Sequence, residues 1–147
     1  MKKILLTIFL LFCISAQARK IVFHMEDYDI YPERSNLTLA LNRFIEKQLR
    51  DVGYDDSVVM KFKRGRYTFY MEDSAEREYY VSNHDQSLTK RIIFDLRNCH
   101  DITIDGSGAE FLFSGTVIPF ALNYTQRCTL KNFSIDFIDT KMVPMEI

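Results

Sequence analysis

Two groups of side chains in this 147-residue sequence have types and spacing that could do chemistry. Glu110 and Asp136 occupy equivalent places in two similar stretches. If those stretches are neighbouring strands, the two carboxylates lie ~4.8 Å apart. Paired carboxyl groups cleave glycosidic bonds, one protonating the leaving oxygen and the other activating water or attacking directly. Inversion through a water needs ~6.5–9.5 Å between them. Glu110 and Asp136 are too close for that unless the side chains diverge, and a charged pair on a solvated face is the simpler reading. His84-Asp85 could be a base oriented by an acid. Neighbours in sequence seldom make such a pair, because the geometry comes from the fold. A loop bonding its own backbone through Ser82, Asn83 and Asp85 explains them better. His24 and His100 stand alone, and the cysteines lack metal-ligand spacing, so no metal site is assigned. Asp105-Gly106-Ser107-Gly108 is not a strand-to-helix phosphate loop. No residue is assigned a catalytic or substrate-binding role.

The elements that hold these residues are set by a near-repeat. Phe94 falls on Phe120 at an offset of 26, and Ile92 on Ile118, Leu96 on Leu122, Thr103 on Thr129 and Ile104 on Leu130 at the same offset. Extended further, it lays Ala109 on Ile135, Glu110 on Asp136, Phe111 on Phe137 and Leu112 on Ile138. Ile92, Phe94 and Leu96 alternate with Ile93 and Asp95, the period of a strand. Short strands broken by D-G and G-S-G turns and repeating at a coil-sized period predict an all-β parallel β-helix. Phe94 would stack near Phe120 and Ile104 near Leu130 in an apolar column that one coil cannot bury alone.

One strong helix precedes these strands. Leu37, Leu41, Phe44, Ile45, Leu49 and Val52 form an apolar stripe, giving a helix at about 36–52 with Ser35 or Asn36 as cap. Glu46–Arg50 and Lys47–Asp51 are expected i,i+4 pairs, and Gly53 a stop. Such a helix would cover the open end of the column. Ile21–Phe23 reads as a short covering strand. Val58–Phe69 reads as two strands about Gly65, and 71–86 as a charged irregular loop. Residues 142–147 look like the start of another coil with no cap after it, so the chain reads as incomplete at its C-terminus.

Lys2 and Lys3, an apolar run from Ile4 to Ile14, and Ala16-Gln17-Ala18 make a secretory signal peptide with cleavage after Ala18. Removing two lysines takes the formal charge from −1 to −3. That argues against nucleic acid, which needs a clustered basic surface. The exported chain is expected to be secreted or periplasmic, without a membrane anchor. Cys99 and Cys128 are 29 residues apart, not 26, so they are expected to be free thiols, with Cys128 a buried small hydrophobe.

Three segments carry a family resemblance. They are N-L-T-L-A-L-N-R-F-I with V-V-M-K-F-K-R-G-R-Y-T-F, then Y-Y-V-S-N-H-D-Q at 79–86, then D-I-T-I-D-G-S-G-A-E-F-L-F-S-G-T-V-I-P-F with C-T-L-K-N-F-S-I-D-F. Together they resemble the N-terminal region of glycoside hydrolase family 110, the bacterial α-1,3-galactosidases, over nearly all of the chain after residue 18. The resemblance implies a right-handed, pectin-lyase-like parallel β-helix and exo-acting removal of terminal α-1,3-linked galactose from glycans, with inversion. It implies no metal or other cofactor. Its catalytic acids are expected on coils beyond Ile147, so the fragment alone is expected to be inactive. Other carbohydrate-active β-helices, a polysaccharide lyase or pectinase, and a non-catalytic β-helix adhesin are the alternatives. The expected organisation is a signal peptide over 1–18, a capping segment over 19–57 and the first coils over 58–147.

Overall fold

The structure, a computed structural model, describes residues 19–80 and 88–138. Residues 1–18, read above as a signal peptide, His84-Asp85 and the terminal 142–147 stretch therefore lie outside the described residues. The fold is mostly β with one α-helix. Strand β1 (Lys20–His24) leads through a 3₁₀ turn to helix α1 (Thr38–Gln48). Strands β2 (Ser57–Lys61), β3 (Arg66–Tyr70), β4 (Ala75–Glu78), β5 (Thr89–Arg97), β6 (Ile102–Ser114), β7 (Ile118–Asn123) and β8 (Thr129–Phe137) follow. Among the described residues no helix is long and apolar enough to cross a membrane.

Strand β6 is the spine of the larger sheet. Along one edge it pairs in parallel with β2 (Val58 with Ile102) and β3 (Arg66 with Glu110), and along the other with β8. Strand β1 pairs in parallel with β2. In the smaller sheet β5 pairs in parallel with β7, and β4 joins β5 antiparallel. Phe94 is paired with Phe120 and Ile104 with Leu130, as the offset of 26 requires.

Beyond Asp105 the register departs from that expectation. Ala109 pairs with Phe133, Phe111 with Ile135 and Phe113 with Phe137, an offset of 24. Four residues, Asp105–Gly108, turn the corner in β6 where Lys131-Asn132 do so in β8, so β6 carries two more. A bulge absorbs them, with Ser107 at φ 50° and Gly108 at φ 87°. Asp105 stitches the two corners, its Oδ1 accepting the Ser107 N–H at 3.0 Å and the Asn132 amide at 2.9 Å.

The interior is an aromatic column. Phe94 stacks on Phe120 at 4.6 Å between centroids, Phe111 on Phe133 at 4.7 Å, and Phe69 on Phe113 at 5.5 Å. Alternation in β6 sends Ile102, Ile104, Ala109, Phe111 and Phe113 inward. Strand β5 departs from simple alternation: Ile93 and Asp95 are buried as well as Phe94 and Leu96, because α1 packs against this strand.

Helix α1 is shorter than the stripe suggests. It buries Leu37, Leu41 and Phe44, and Phe44 meets Phe23 and Tyr28 edge-on. Asn36 serves at its start, its Oδ1 accepting the Thr38 N–H at 3.2 Å. The Leu37 N–H donates to the Thr68 carbonyl at 2.9 Å, and the Tyr70 N–H to Thr38 Oγ1 at 2.8 Å, so the helix grows out of the edge of β3. It ends at Gln48, and Leu49 and Val52 pack from the following turn. Arg50 and Asp51 lie beyond its end, and neither Glu46–Arg50 nor Lys47–Asp51 forms an ion pair. Part of the expected irregular loop is also regular: Met71–Asp73 is a 3₁₀ turn and Ala75–Glu78 is β4. Polar on both faces, β4 is held by its pairing to β5 and by the Arg91–Glu76 ion pair at 3.0 Å.

Candidate functional site

The structure separates the carboxylate pair read from the sequence. The two-residue bulge places Glu110 opposite Ser134 and Asp136 opposite Leu112. Glu110 instead accepts from Arg66 Nε at 2.9 Å, its partner in the β3–β6 register. Asp136 Oδ1 accepts the Phe137 N–H at 2.8 Å. Each carboxylate thus has a local structural partner, and the two are not directly opposite each other.

Cys99 and Cys128 are free thiols, as the spacing indicates. Cys128 is half-buried rather than buried, because β8 has no described strand beyond it. Cys99 is half-buried too, and burial, the largest influence on it, pushes its thiol pKa up. Among the described residues no three His, Cys, Asp or Glu groups converge as a metal site would require.

A carboxylate buried at the wall of a cleft is a residue the sequence reading did not single out. Between α1 and β5 lies a cleft of about 330 Å³, edged by Asn42 and Glu46 on the helix, Arg77 on β4, and Asp95, Arg97 and Asn98 on the β5 side. The Asp95 side chain is only 6% exposed. Its Oδ2 accepts from Arg77 Nε at 2.8 Å, while Oδ1 has no hydrogen-bond partner among the described residues. A buried carboxylate oxygen without a donor is destabilising by itself, and most are satisfied by protein or ordered water. The cleft can therefore hold a polar donor.

A second charged cluster binds successive turns together. Asp101 accepts from Arg127 Nε and Nη2, both at 2.6 Å, and its Oδ2 lies 3.2 Å from His100 Nδ1. The hydrogen bond from Arg127, the largest influence, holds the Asp101 pKa down at about 2. A carboxyl whose folded pKa is depressed stabilises the fold fully above its unfolded pKa of about 3.9 and loses that contribution as pH falls through the folded value. The thermal midpoint of the wild type should therefore drop between about pH 4 and pH 2 more steeply than that of Asp101→Asn. Parallel curves for the two proteins would show that the pair does not contribute.

Comparison with known proteins meets this geometry. No family model matches the chain. An α-1,3-galactosidase B of Phocaeicola vulgatus is 40% identical over 139 residues, 93% of this chain and 23% of that protein. One from Bacteroides fragilis is 37% identical over 114 residues, 78% of this chain and 19% of that protein. One from Bacteroides thetaiotaomicron is 32% identical over 128 residues, 87% of this chain and 20% of that protein. The chain is a relative of the bacterial α-1,3-galactosidases. The likeness read from its motifs and that found by comparison coincide. The chain spans about a quarter or less of the length of these galactosidase relatives.

Proposed function

We propose that the chain forms the first coils of a right-handed parallel β-helix in a secreted glycoside hydrolase. That enzyme removes terminal α-1,3-linked galactose from glycans, with inversion. The observation that carries the reading is the 40% identity over 93% of this chain to an α-1,3-galactosidase. The parallel strand register is compatible with stacked coils. In this reading residues 1–18 are a signal peptide cut after Ala18, 19–57 a capping segment, and 58–147 the opening coils. No metal takes part, and the acid and base come from residues outside this chain. The chain's contribution is structural: it seals one end of the column and sets the register from which later coils build their acidic site.

The test is a graft. Residues 19–147 replace the aligned quarter of the Phocaeicola vulgatus enzyme, and galactose release from an α-1,3-galactosyl oligosaccharide is measured. The graft should turn over and the chain alone should not. An inactive, well-folded graft would sink the proposal that this segment is interchangeable with its relative. Release by the chain alone, abolished in Glu110→Gln/Asp136→Asn, would place the chemistry here instead.

A further inference from the structure

The turn ahead of β2 holds a buried carboxylate directly on the backbone nitrogen of Arg19. The turn is closed by the Asp56 N–H donating to the Gly53 carbonyl at 3.0 Å, and it presents an Asp56 side chain only 6% exposed. Three donors from Arg19 converge on that carboxylate, and the Gly53 backbone N–H also acts on it. The Arg19 backbone N lies 3.0 Å from Oδ1, Nε 3.2 Å from Oδ1 and Nη2 2.6 Å from Oδ2. From the other side the Ser57 N–H donates to the Arg19 carbonyl at 2.8 Å, so the Arg19 main chain is fixed at both its nitrogen and its oxygen.

A peptide N–H at this position supplies one neutral donor. A free α-amino group on the same nitrogen supplies a positive charge and up to three donors, in the place where an anion is already held. The peptide bond's N–H already meets an ionised acceptor; an ammonium adds to it the attraction between two full charges of opposite sign. We infer that Asp56 is a receptor for the α-ammonium group that appears on Arg19 when the segment before it is cut away, so that processing after Ala18 tightens the fold. The inference rests on the export reading for the position of the cut; the receptor geometry does not. The step itself is hydrolysis of the Ala18–Arg19 peptide bond: water adds across it, Ala18 leaves with a carboxylate and Arg19 with an amine that takes up a proton.

The charges that act on this site are few. Arg19's hydrogen bonds are the largest influence holding the Asp56 pKa down, and Asp56's raise that of Arg19. No other charged side chain among the described residues acts on either. Asp55 and Lys20 are their exposed sequence neighbours, and neither is paired with them. The Arg19 guanidinium is 73% exposed and keeps its hydration, so the carboxylate can accept a second cation. An unperturbed α-amino group titrates at about 7.7–8.0. Contact with Asp56 raises that pKa in the folded state. The added stability is then complete below the unfolded value and disappears as pH rises through the folded one.

Three proteins test this: the chain beginning at Arg19 with a free amine, the same chain N-acetylated at Arg19, and the chain retaining Gln17-Ala18. At neutral pH the free-amine form should melt a few degrees above the other two. That gap should close above about pH 10 and be absent when all three carry Asp56→Asn. Acetylation changes no side chain, so the comparison survives even if Asp56→Asn folds poorly. Equal midpoints for the free and acetylated forms at neutral pH would overturn the inference, as would a gap that persists in Asp56→Asn. Mass spectrometry of the exported protein separately reports the cut. A mature N-terminus other than Arg19 would defeat the export reading while the melting comparison still judged the receptor.

Discussion

Phe94→Ala should lower stability by about 3–5 kcal/mol, the range for deleting a buried aromatic ring. Phe94 is fully buried and its ring meets rings from both sheets. Its ring lies 4.6 Å from Phe120, 5.4 Å from Phe69, 5.7 Å from Phe111 and 6.3 Å from Phe62. Alanine would remove the ring from four neighbours at once, and those neighbours lie on both sheets and in the turn after β2, which cannot all move in to fill the gap. Single domains are stable by about 5–15 kcal/mol, so a loss of this size consumes much of the margin. Urea denaturation should show a lower midpoint with an unchanged slope. Leu122→Ala, at a site already 45% exposed, is the comparison. If the two variants lose the same amount, the aromatic column is not the core of this fold.

The second large effect is expected at Gly106, for the opposite reason. A Cβ there would lie 2.5 Å from the Phe133 Cβ and 2.7 Å from the Asn132 carbonyl oxygen. Neither is the tip of a flexible side chain, so β6 and β8 must part for alanine to fit. Overpacking typically costs about 1–3 kcal/mol, and contact with backbone puts Gly106→Ala toward the upper end. Gly108 gives the contrast. It has φ 87° but open space beside it, since an added Cβ would meet only the Arg64 side chain at 3.7 Å. Gly108→Ala should carry only the conformational penalty, about 1 kcal/mol. Hydrogen exchange at the Phe133 amide separates the two cases: Gly106→Ala should accelerate it beyond the global change and Gly108→Ala should not. Wild-type exchange and stability in Gly106→Ala would show that the strands do not approach so closely.

Much of the strand register was readable because apolar alternation and a fixed offset are local signals. Phe94 over Phe120 and Ile104 over Leu130 follow from counting residues. The slip that moved Asp136 away from Glu110 was spelled out as well: one corner has four residues, Asp105–Gly108, and its counterpart two, Lys131-Asn132. Holding the offset at 26 across corners of different length produced the mistaken pair. The end of α1 was hidden because Leu49 and Val52 continue the apolar stripe from a turn, where packing rather than helical periodicity determines their burial. Strand β4 was hidden because Ala75-Glu76-Arg77-Glu78 has no apolar face, and its structure depends on partners further along the chain, from Thr89 opposite Glu78 to Ile92 opposite Ala75. Asp95 was read as pointing away from the core. Its burial depends on a helix some fifty residues earlier in the chain, which no local pattern reports.

The unequal corners of β6 and β8 bear on how this architecture can change its length. Their difference is two residues, an even number, so inward and outward positions keep their parity across the bulge: Phe111 and Phe113 still pair with Ile135 and Phe137. A one-residue insertion would exchange the two faces of everything downstream and turn phenylalanines toward water. Insertions and deletions at this corner should therefore survive descent in even steps. The corner can lengthen that way while the apolar column keeps its phase, and it can grow toward a binding loop without the strands on either side being rewritten.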